Sequence, residues 1–279
     1  MTSIADKRRA FRKLHESGCF VLPNPWDIGT TRYLEQAGFA ALATTSAGYA
    51  FSRGRPDGAV GRDEMLAHIA ELVAATDLPV NADFEAGYAA DPAGVAESVA
   101  LCVATGVAGL SIEDATGDAG APLYALDAAV ARVRAARGAI DAAGGGVVLT
   151  ARAECYLVGR PDIAEVIARL TAYAQAGADC LYAPGIRTRA EISAVVEAVA
   201  PVPVNLLMPG ALGFTVSDIA AMGVRRISVG STLSRVAWGA FMAAVEEIRG
   251  PGGFETFRGA VPFAEINGLF RADADRRAG

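Results

Sequence analysis

The amino-acid sequence predicts an α/β fold, a (β/α)8 barrel of the TIM type followed by a C-terminal helical extension. Three observations favour this class. Eight short apolar runs recur along the 279 residues, segments with helical periodicity separate them, and glycine follows several of the predicted helices. A doubly wound open sheet is the alternative. That fold usually carries a GxGxxG turn after a strand, and the sequence has none.

The predicted strands are short and largely apolar, which is typical of strands buried on both faces of a parallel barrel. They lie at 19–22, 40–45, 80–83, 108–113, 147–151, 178–183, 202–207 and 226–230. After the second strand, Met65, Ile69 and Leu72 share one face of a predicted helix. After the fifth strand, Ile163 and Val166 begin a similar apolar face. Strand and helix therefore alternate along the chain.

The domain organisation follows from the same pattern. We expect the barrel to occupy residues 1–250 and the helical extension residues 251–279, with no low-complexity linker between them. The first 18 residues carry charges and lack the apolar core of a signal peptide. Phe11 and Leu14 there suit a short amphipathic helix, so we interpret this segment as structural.

Composition excludes several functions. Lys and Arg number 25 and Asp and Glu 31, a net charge of −6, which gives nucleic acid no electrostatic attraction. No apolar run reaches the roughly 18 residues of a membrane span. Lys7 and Lys13 are the only lysines, so no Schiff-base lysine can lie on a central strand. His15 and His68 are the only histidines, so we expect any metal to be held by oxygen.

The cysteines indicate a reducing compartment. Cys19, Cys102, Cys155 and Cys180 form no CxxC pair, and a chain of this size needs no disulfides, so we expect reduced thiols and a cytoplasmic location. Cys155 could serve as a nucleophile, but without a nearby histidine a structural thiol is the favoured interpretation.

Acidic residues cluster at the ends of two successive predicted strands. Asp83 and Glu85 belong to the third strand end, and Glu113 and Asp114 to the fourth. Carboxylates crowded in this way repel one another unless a cation lies among them, and Mg²⁺ prefers such oxygen ligands. Arg152 at the fifth strand end offers a planar fork for a substrate anion. The alternative is that the acidic residues only cap the helices that follow.

Six short runs occur in order along the chain: VLPNPWD, ATTSAG, GRPDG, NADFEAGY, SIED and TARAE. In this combination the chain resembles the isocitrate lyase/phosphoenolpyruvate mutase superfamily over nearly its whole length. The resemblance implies a barrel enzyme that makes or breaks C–C or P–C bonds beside a 2-oxo or 2-hydroxy carboxylate, through an enolate held on Mg²⁺. It also implies a homo-oligomer, a tetramer or dimer, in which the C-terminal extension is exchanged between subunits.

The resemblance also implies roles for residues that bind and transform the substrate. Thr45, Ser46 and Ala47 would form a pocket for the substrate oxyanion. Asp57 would be the catalytic carboxylate on a mobile gating loop, and Arg152 would anchor the substrate carboxylate and take part in catalysis. To these we add Asn205, at the end of the seventh predicted strand, as a substrate-binding residue.

The metal shell implied by the resemblance consists of Asp83, Glu85 and Glu113, largely through water. Mg²⁺ is the expected ion, with Mn²⁺ as the alternative. The family usually has a second aspartate where this chain has Glu85, a longer carboxylate. We expect metal binding to survive this change.

Two departures from the family concern the catalytic acid. Lyases of the superfamily carry a KKCGH-type loop after the fourth strand, and the phosphonate enzymes use a lysine and an asparagine there. This chain has ATGDAGAPLYALD at 115–127, without Lys, Cys, His or Asn. A glutamate often found after the sixth strand is also replaced, because the chain reads YAPG at 182–185.

We therefore expect a Mg²⁺-dependent carbon–carbon lyase acting on a small 2-oxo or 2-hydroxy di- or tricarboxylate. Decarboxylation needs no general base to start, whereas retro-aldol cleavage needs a base and an acid. Only Asp57 is available for these tasks, with Tyr49 or Tyr124 as a partner. Two alternatives remain: a phosphonate mutase or hydrolase, and a 2-oxo acid binding protein without catalysis.

Overall fold

The structure, a computed structural model, describes residues 2–278 and has eight parallel strands alternating with helices, which confirms the predicted (β/α)8 barrel. The strands pair in the order β1-β8-β7-β6-β5-β4-β3-β2. Their bounds are β1 Phe20–Leu22, β2 Leu42–Ala43, β3 Val80–Asp83, β4 Gly109–Glu113, β5 Val148–Arg152, β6 Cys180–Tyr182, β7 Val204–Leu207 and β8 Arg226–Ser228.

The barrel closes between β1 and β2 at the ends of these strands. The N–H of Ala43 donates to the carbonyl oxygen of Pro23 at 3.0 Å. Just beyond, the Asn24 side chain donates to the carbonyl of Thr44 at 2.8 Å and accepts the N–H of Gly230 at 2.9 Å. One buried amide therefore joins the ends of β1, β2 and β8.

Helices cover the outside of the barrel. In chain order they are α1 Ile4–Leu14, α2 Ile28–Gln36, α3 Ser46–Ser52, α4 Arg62–Ala75, α5 Pro92–Ala104, α6 Leu126–Ala142, α7 Ile163–Gln175, α8 Arg189–Val199 and α9 Val216–Ala221. Asp27, Asp91 and Asp162 begin three of them as N-caps, each accepting a backbone N–H of the first turn. The short α3, capped by Thr45, was not predicted from the sequence.

The amino end of the barrel is closed by α1. Phe11 on this helix is fully buried and packs with Leu22, Val148 and other side chains in a small apolar cluster. Gly109 on β4 makes this possible, since a Cβ there would lie 2.6 Å from the Phe11 ring. The larger core lies where the helices pack on the strands.

The chain divides into two compact units after Ser231. The second contains α10 Thr232–Arg249, a 3₁₀ helix Glu255–Gly259 and α11 Phe263–Ala278. Within it, the carboxylate of Glu247 accepts the N–H of Glu255 at 2.8 Å and so caps the 3₁₀ helix. Many of its large apolar side chains are exposed, Phe263 to 83%. The predicted extension 251–279 and its exchange between subunits stay predictions. None of the helices within 2–278 is both long and apolar enough to cross a bilayer.

We expect Gly109→Ala to destabilise the barrel by about 1–3 kcal/mol, because the added methyl group overpacks the closed end. It would lie 2.6 Å from both Phe11 and the Asn81 amide oxygen. The control is Gly138→Ala on α6, where an added Cβ meets nothing within 4 Å. This variant should stabilise the protein by about 0.5–1 kcal/mol. Urea unfolding measures both, and equal stabilities of Gly109→Ala and the wild type would contradict this packing.

Candidate active site

A cavity of about 330 Å³ lies at the carboxyl ends of the strands, entirely within the first unit. Its wall side chains come from alternate strand positions, because successive residues of a strand point to opposite faces. Nine residues predicted for the site line this one cavity: Thr45, Ser46, Ala47, Asp57, Asp83, Glu85, Glu113, Arg152 and Asn205. The fold therefore brings them together, and their individual roles stay predictions.

Arg152 pairs with three carboxylates of the cavity wall. Its guanidinium nitrogens lie 2.7 Å from Asp83, 3.1 Å from Glu113 and 2.8 Å from Glu154. The same group lies 5.0 Å from the centre of the Tyr182 ring, a cation–π contact. Burial disfavours the charged form, but the carboxylates, Glu154 foremost, hold the pKa of Arg152 well above its usual range.

Asp83 is fixed from two further sides. Its second carboxylate oxygen accepts the backbone N–H of Ser46 at 3.0 Å and the Ser46 hydroxyl at 2.9 Å. The N–H of Asp83 donates to the hydroxyl of Thr44 at 2.9 Å. Both donors of Ser46, which the resemblance assigns to the substrate oxyanion, are therefore directed at Asp83 here.

Glu85 lies in a strained turn after β3. Glu85 and Tyr88 have φ angles of 46° and 52°, in the left-handed region that side chains seldom adopt. The Tyr88 hydroxyl donates to the Glu85 carboxylate at 2.9 Å. Burial raises the pKa of Glu85 to about 7, with Tyr88 opposing the shift and Asp83 adding to it. Strain of this kind persists where the surroundings fix a side chain in place.

Acidic side chains outnumber basic ones around the cavity. Burial raises the pKa of Glu113 and of Glu154, although Arg152 opposes both shifts. The charged side chains in the lining are five carboxylates and two guanidinium groups: Asp57, Asp83, Glu85, Glu113, Glu154, Arg152 and Arg226. A bound cation would relieve this crowding.

The residues fit a hydrated Mg²⁺ rather than a directly caged ion. Within residues 2–278, no three His, Cys, Asp or Glu side chains are arranged to coordinate one ion directly. Mg²⁺ usually keeps several waters and binds through one or two carboxylates. Asp83, Glu85 and Glu113 supply oxygen donors of that kind on one side of the cavity.

Asp57 lies at the mouth of the cavity, in the largely exposed loop 53–61 between α3 and α4. Its carboxylate accepts the N–H of Gly58 at 3.1 Å. Burial of the carboxylate, and then its proximity to Asp83, raise the pKa of Asp57. The loop is attached to α4 through Arg55, which pairs with Glu64 at 2.6 Å.

The loop 115–127 turns on itself and contributes no residue to the cavity lining. Ala115 and Leu123 form an antiparallel bridge, and the Thr116 hydroxyl donates to the carbonyl of Ala121 at 2.6 Å. The segment to which the resemblance assigns the catalytic acid is therefore directed away from the cavity in this chain.

The expected tyrosine partners of Asp57 are also absent from the cavity lining. Tyr49 stacks on His68, with ring centres 3.7 Å apart. Tyr124 lies under the guanidinium of Arg132 at 4.2 Å. The expectation that either tyrosine assists Asp57 is thus not supported, because each is engaged in packing.

Several residues of the lining had no role predicted from the sequence, among them the polar side chains of Glu154, Tyr182 and Arg226. The alternation of strand side chains could have found two of them. Tyr182 is two residues after the inward-facing Cys180, and Arg226 is two residues before Ser228, which also lines the cavity. Glu154 follows Arg152 by two residues but lies beyond β5.

Asp114 lies behind the cavity and positions Glu154. Its carboxylate accepts the Glu154 N–H at 2.8 Å, the Tyr173 hydroxyl at 2.5 Å and the Arg169 guanidinium at 3.0 Å. Asp114 is buried, so these bonds satisfy a carboxylate that would otherwise be costly. It is neither a cavity residue nor a helix cap.

The phosphoenolpyruvate phosphomutase family matches residues 11–249, which include all eight strands. The chain belongs to this family. A Burkholderia cenocepacia J2315 protein, described provisionally as a lyase or mutase, has a crystal structure with 53% sequence identity and a TM-score of 0.93, covering 96% of this chain and 97% of its own.

The relatives with named activities include two kinds of lyase. The oxaloacetate decarboxylase of Paraburkholderia xenovorans strain LB400 is 31% identical, over 81% of this chain and 75% of its own length. The 2-methylisocitrate lyase of Escherichia coli K12 is 30% identical, over 73% of this chain and 72% of its own. The predicted superfamily is confirmed, and this phosphomutase-family protein is an enzyme of the lyase and mutase type.

We expect Glu85→Gln to be more stable than the wild type at pH 8 in metal-free buffer, by roughly 1–3 kcal/mol. The pKa of Glu85 in the fold, about 7, lies above the ordinary 4.5. Stability from its neutral carboxyl is therefore present below about pH 4.5 and lost as the pH rises through 7. The variant avoids that loss and should match the wild type at pH 4.

Urea unfolding at the two pH values, with EDTA present, measures the effect. Glu16→Gln, at an exposed site on the outside of the barrel, is the control and should change neither value. A Glu85→Gln advantage that is the same at pH 4 and pH 8 would show that protonation of Glu85 is not its source.

Proposed function

We propose that this enzyme is a Mg²⁺-dependent lyase that removes CO₂ from a small 2-oxo dicarboxylate, with oxaloacetate as the representative substrate. The supporting observation is the cavity lining, which has carboxylates around a fixed arginine and no acid or base from loop 115–127. Loss of CO₂ needs no base to start, because the electron pair of the breaking bond moves toward the 2-oxo group as CO₂ departs. The relative named oxaloacetate decarboxylase supports the same choice.

Asp83, Glu85 and Glu113 would hold the metal, chiefly through water. Mg²⁺, or Mn²⁺ with the same oxygen preference, would supply Lewis-acid polarisation of the 2-oxo oxygen when bound. The ion pairs of Arg152 with Asp83 and Glu113 keep two of these carboxylates in fixed positions. A preorganised arrangement of this kind needs little reorganisation during the reaction.

Arg152 is the proposed anchor for the carboxylate beside the 2-oxo group. Its guanidinium is planar, permanently charged and held from three directions, so it presents a defined edge to the cavity. Tyr182 limits its movement from one face. Thr45, Ser46 and Ala47 line the same cavity at the start of α3 and would confine the substrate.

Asp57 is the proposed proton donor to the carbon that loses CO₂. The raised pKa of Asp57 favours its protonated form more than for an ordinary aspartate. Its place on an exposed loop allows it to take up a proton from solvent, and closure of the loop would bring the carboxyl group toward that carbon. Closure of loop 53–61 over the substrate would also exclude water.

The purified enzyme should release CO₂ and pyruvate from oxaloacetate with Mg²⁺ and lose this activity with EDTA. Arg152→Lys keeps the charge but loses the planar fork, and should weaken oxalate binding by about 1.5–3 kcal/mol. Arg160→Lys, in an exposed position outside the cavity lining, is the control. Turnover assays and calorimetry provide the measurements.

The same assay distinguishes the alternatives. Oxalate with acetate as products would indicate cleavage of the bond beside the 2-oxo carbon, and phosphate release from a phosphonate would indicate a P–C enzyme. Oxalate binding without turnover of any of these substrates would indicate a binding protein. Each of these outcomes contradicts decarboxylation as the reaction.

Asp57→Asn should lower kcat on the order of a hundredfold or more, the contribution of a positioned proton donor, while oxalate binding changes little. Limited proteolysis within 53–61 should be fast in the free protein and slower with Mg²⁺ and oxalate. Asp63→Asn, an exposed residue at the start of α4, is the control. Full activity of Asp57→Asn and ligand-independent cleavage would exclude both the gate and the proton donor.

We also propose a cytoplasmic homo-oligomer, a dimer or tetramer. Exposed apolar side chains such as Phe241 and Phe263 in the second unit favour a partner surface. All four cysteines are free thiols, which suits a reducing compartment.

A further inference from the structure

Arg226 is a buried arginine on β8 that faces the same cavity as Arg152. It is 2% exposed, yet it belongs to the cavity lining. No carboxylate within residues 2–278 forms an ion pair with it, in contrast to the three that surround Arg152. A buried charge without a counter-ion is costly, so we expect the charged Arg226 side chain to bind an anion.

The contacts of Arg226 are all with uncharged groups. Its Nε donates to the Asn205 amide oxygen at 2.8 Å, and Nη2 donates to the Thr150 hydroxyl at 3.0 Å. Nη1 lies 3.4 Å from His15 Nε2. His15 bonds the carbonyl of Phe11 through Nδ1 at 2.8 Å, which leaves Nε2 as an acceptor. Burial, followed by the charge of Arg226, lowers the pKa of His15 to about 3, so this ring is neutral.

These contacts hold the Arg226 guanidinium in place but do not use all of its N–H donors. A guanidinium has five N–H donors, and the contacts use three of them. The Asn205 amide that receives Nε is itself held by the Ser228 hydroxyl at 2.9 Å. The arrangement therefore holds the fork rigidly and leaves donors and a full positive charge for an anion.

The position of Arg226 relative to Arg152 follows from strand geometry. Thr150, which receives Nη2 of Arg226, is two residues before Arg152 on β5, and both side chains face the barrel interior. Alternate residues of a parallel strand are about 6.6 Å apart. Arg226 thus lies about one side-chain layer deeper than Arg152, on the side of the cavity that leads to the closed end.

We propose that Arg226 binds the second carboxylate of the substrate and makes the enzyme selective for dicarboxylates over monocarboxylates. This inference rests on the proposed function, in which Arg152 holds the carboxylate beside the 2-oxo group. A four-carbon diacid would then lie along the barrel axis, with one carboxylate in each arginine layer. Asn205 acts as a positioning residue, since it orients the Arg226 fork.

The proposed reaction predicts how the contact between Arg226 and the substrate affects KM and kcat. A carboxylate that leaves as CO₂ loses its charge in the transition state, so its bond to Arg226 contributes to binding of the ground state and not to kcat. Removal of Arg226 should therefore raise KM for oxaloacetate without lowering kcat. A purely structural role would lower kcat, because the whole site would be disturbed.

The test uses a matched pair of stable ligands, malate and 2-hydroxybutyrate, which differ by one carboxylate. Calorimetry measures both with Mg²⁺ and with EDTA, for the wild type, Arg226→Met and Arg226→Lys. Arg225→Met is the control. Arg225 precedes Arg226 in the sequence but is not in the cavity lining, and its guanidinium donates to the carbonyl of Gly18. Melting temperatures verify that each variant is folded.

We expect the wild type and Arg225→Met to prefer malate by at least tenfold, the scale of one charge-assisted contact. Arg226→Met should lose that preference while 2-hydroxybutyrate binding stays within about twofold, and Arg226→Lys should keep part of it. A wild type without the preference, or an Arg226 variant that retains all of it, overturns the proposal. Because binding is measured without turnover, inactivity toward oxaloacetate would contradict only the proposed reaction.

Discussion

The guanidinium group of Arg152 is the interaction on which the rest of the site depends. It bonds carboxylates from the ends of β3 and β4 and from the residues after β5. Removing it would leave three buried or half-buried carboxylates facing one another, which is far more costly than losing a surface ion pair. One side chain therefore holds Asp83, Glu113 and Glu154 together, and a metal ion bound by any of these carboxylates would lie beside it.

The support for this arrangement extends outward from the cavity. Ser46 and Thr44 fix Asp83 from the β2 side, while Asp114 fixes the backbone of Glu154 from behind. Each of these contacts uses a buried donor or acceptor that would otherwise be unsatisfied. The cavity wall is consequently a connected polar network within an apolar barrel, and a change at its edge is felt at Arg152.

The two loops 53–61 and 115–127 differ in whether they contribute residues to the cavity lining. Loop 53–61 brings Asp57 to the cavity mouth, whereas loop 115–127 is closed by its own hydrogen bonds and stays out of the lining. Variation of loops on a constant barrel is how this fold supports different reactions. In the barrel interior, Arg226 places a second positive charge about one side-chain layer below Arg152.

Much of the fold and part of the site could be predicted from the sequence, because they depend on local patterns. Apolar periodicity and helix-ending glycines identified eight strand–helix units, and the barrel rule then placed Asp83, Glu113 and Arg152 at one end. The seven-residue α3 was missed, because it is too short for a periodic signal. Only the tertiary structure decided which carboxylates Arg152 bonds, that loop 115–127 turns away from the cavity, and that Arg226 has uncharged partners. These outcomes depend on contacts between residues far apart in the chain, where closure of the barrel, and no local pattern, determines which side chains meet.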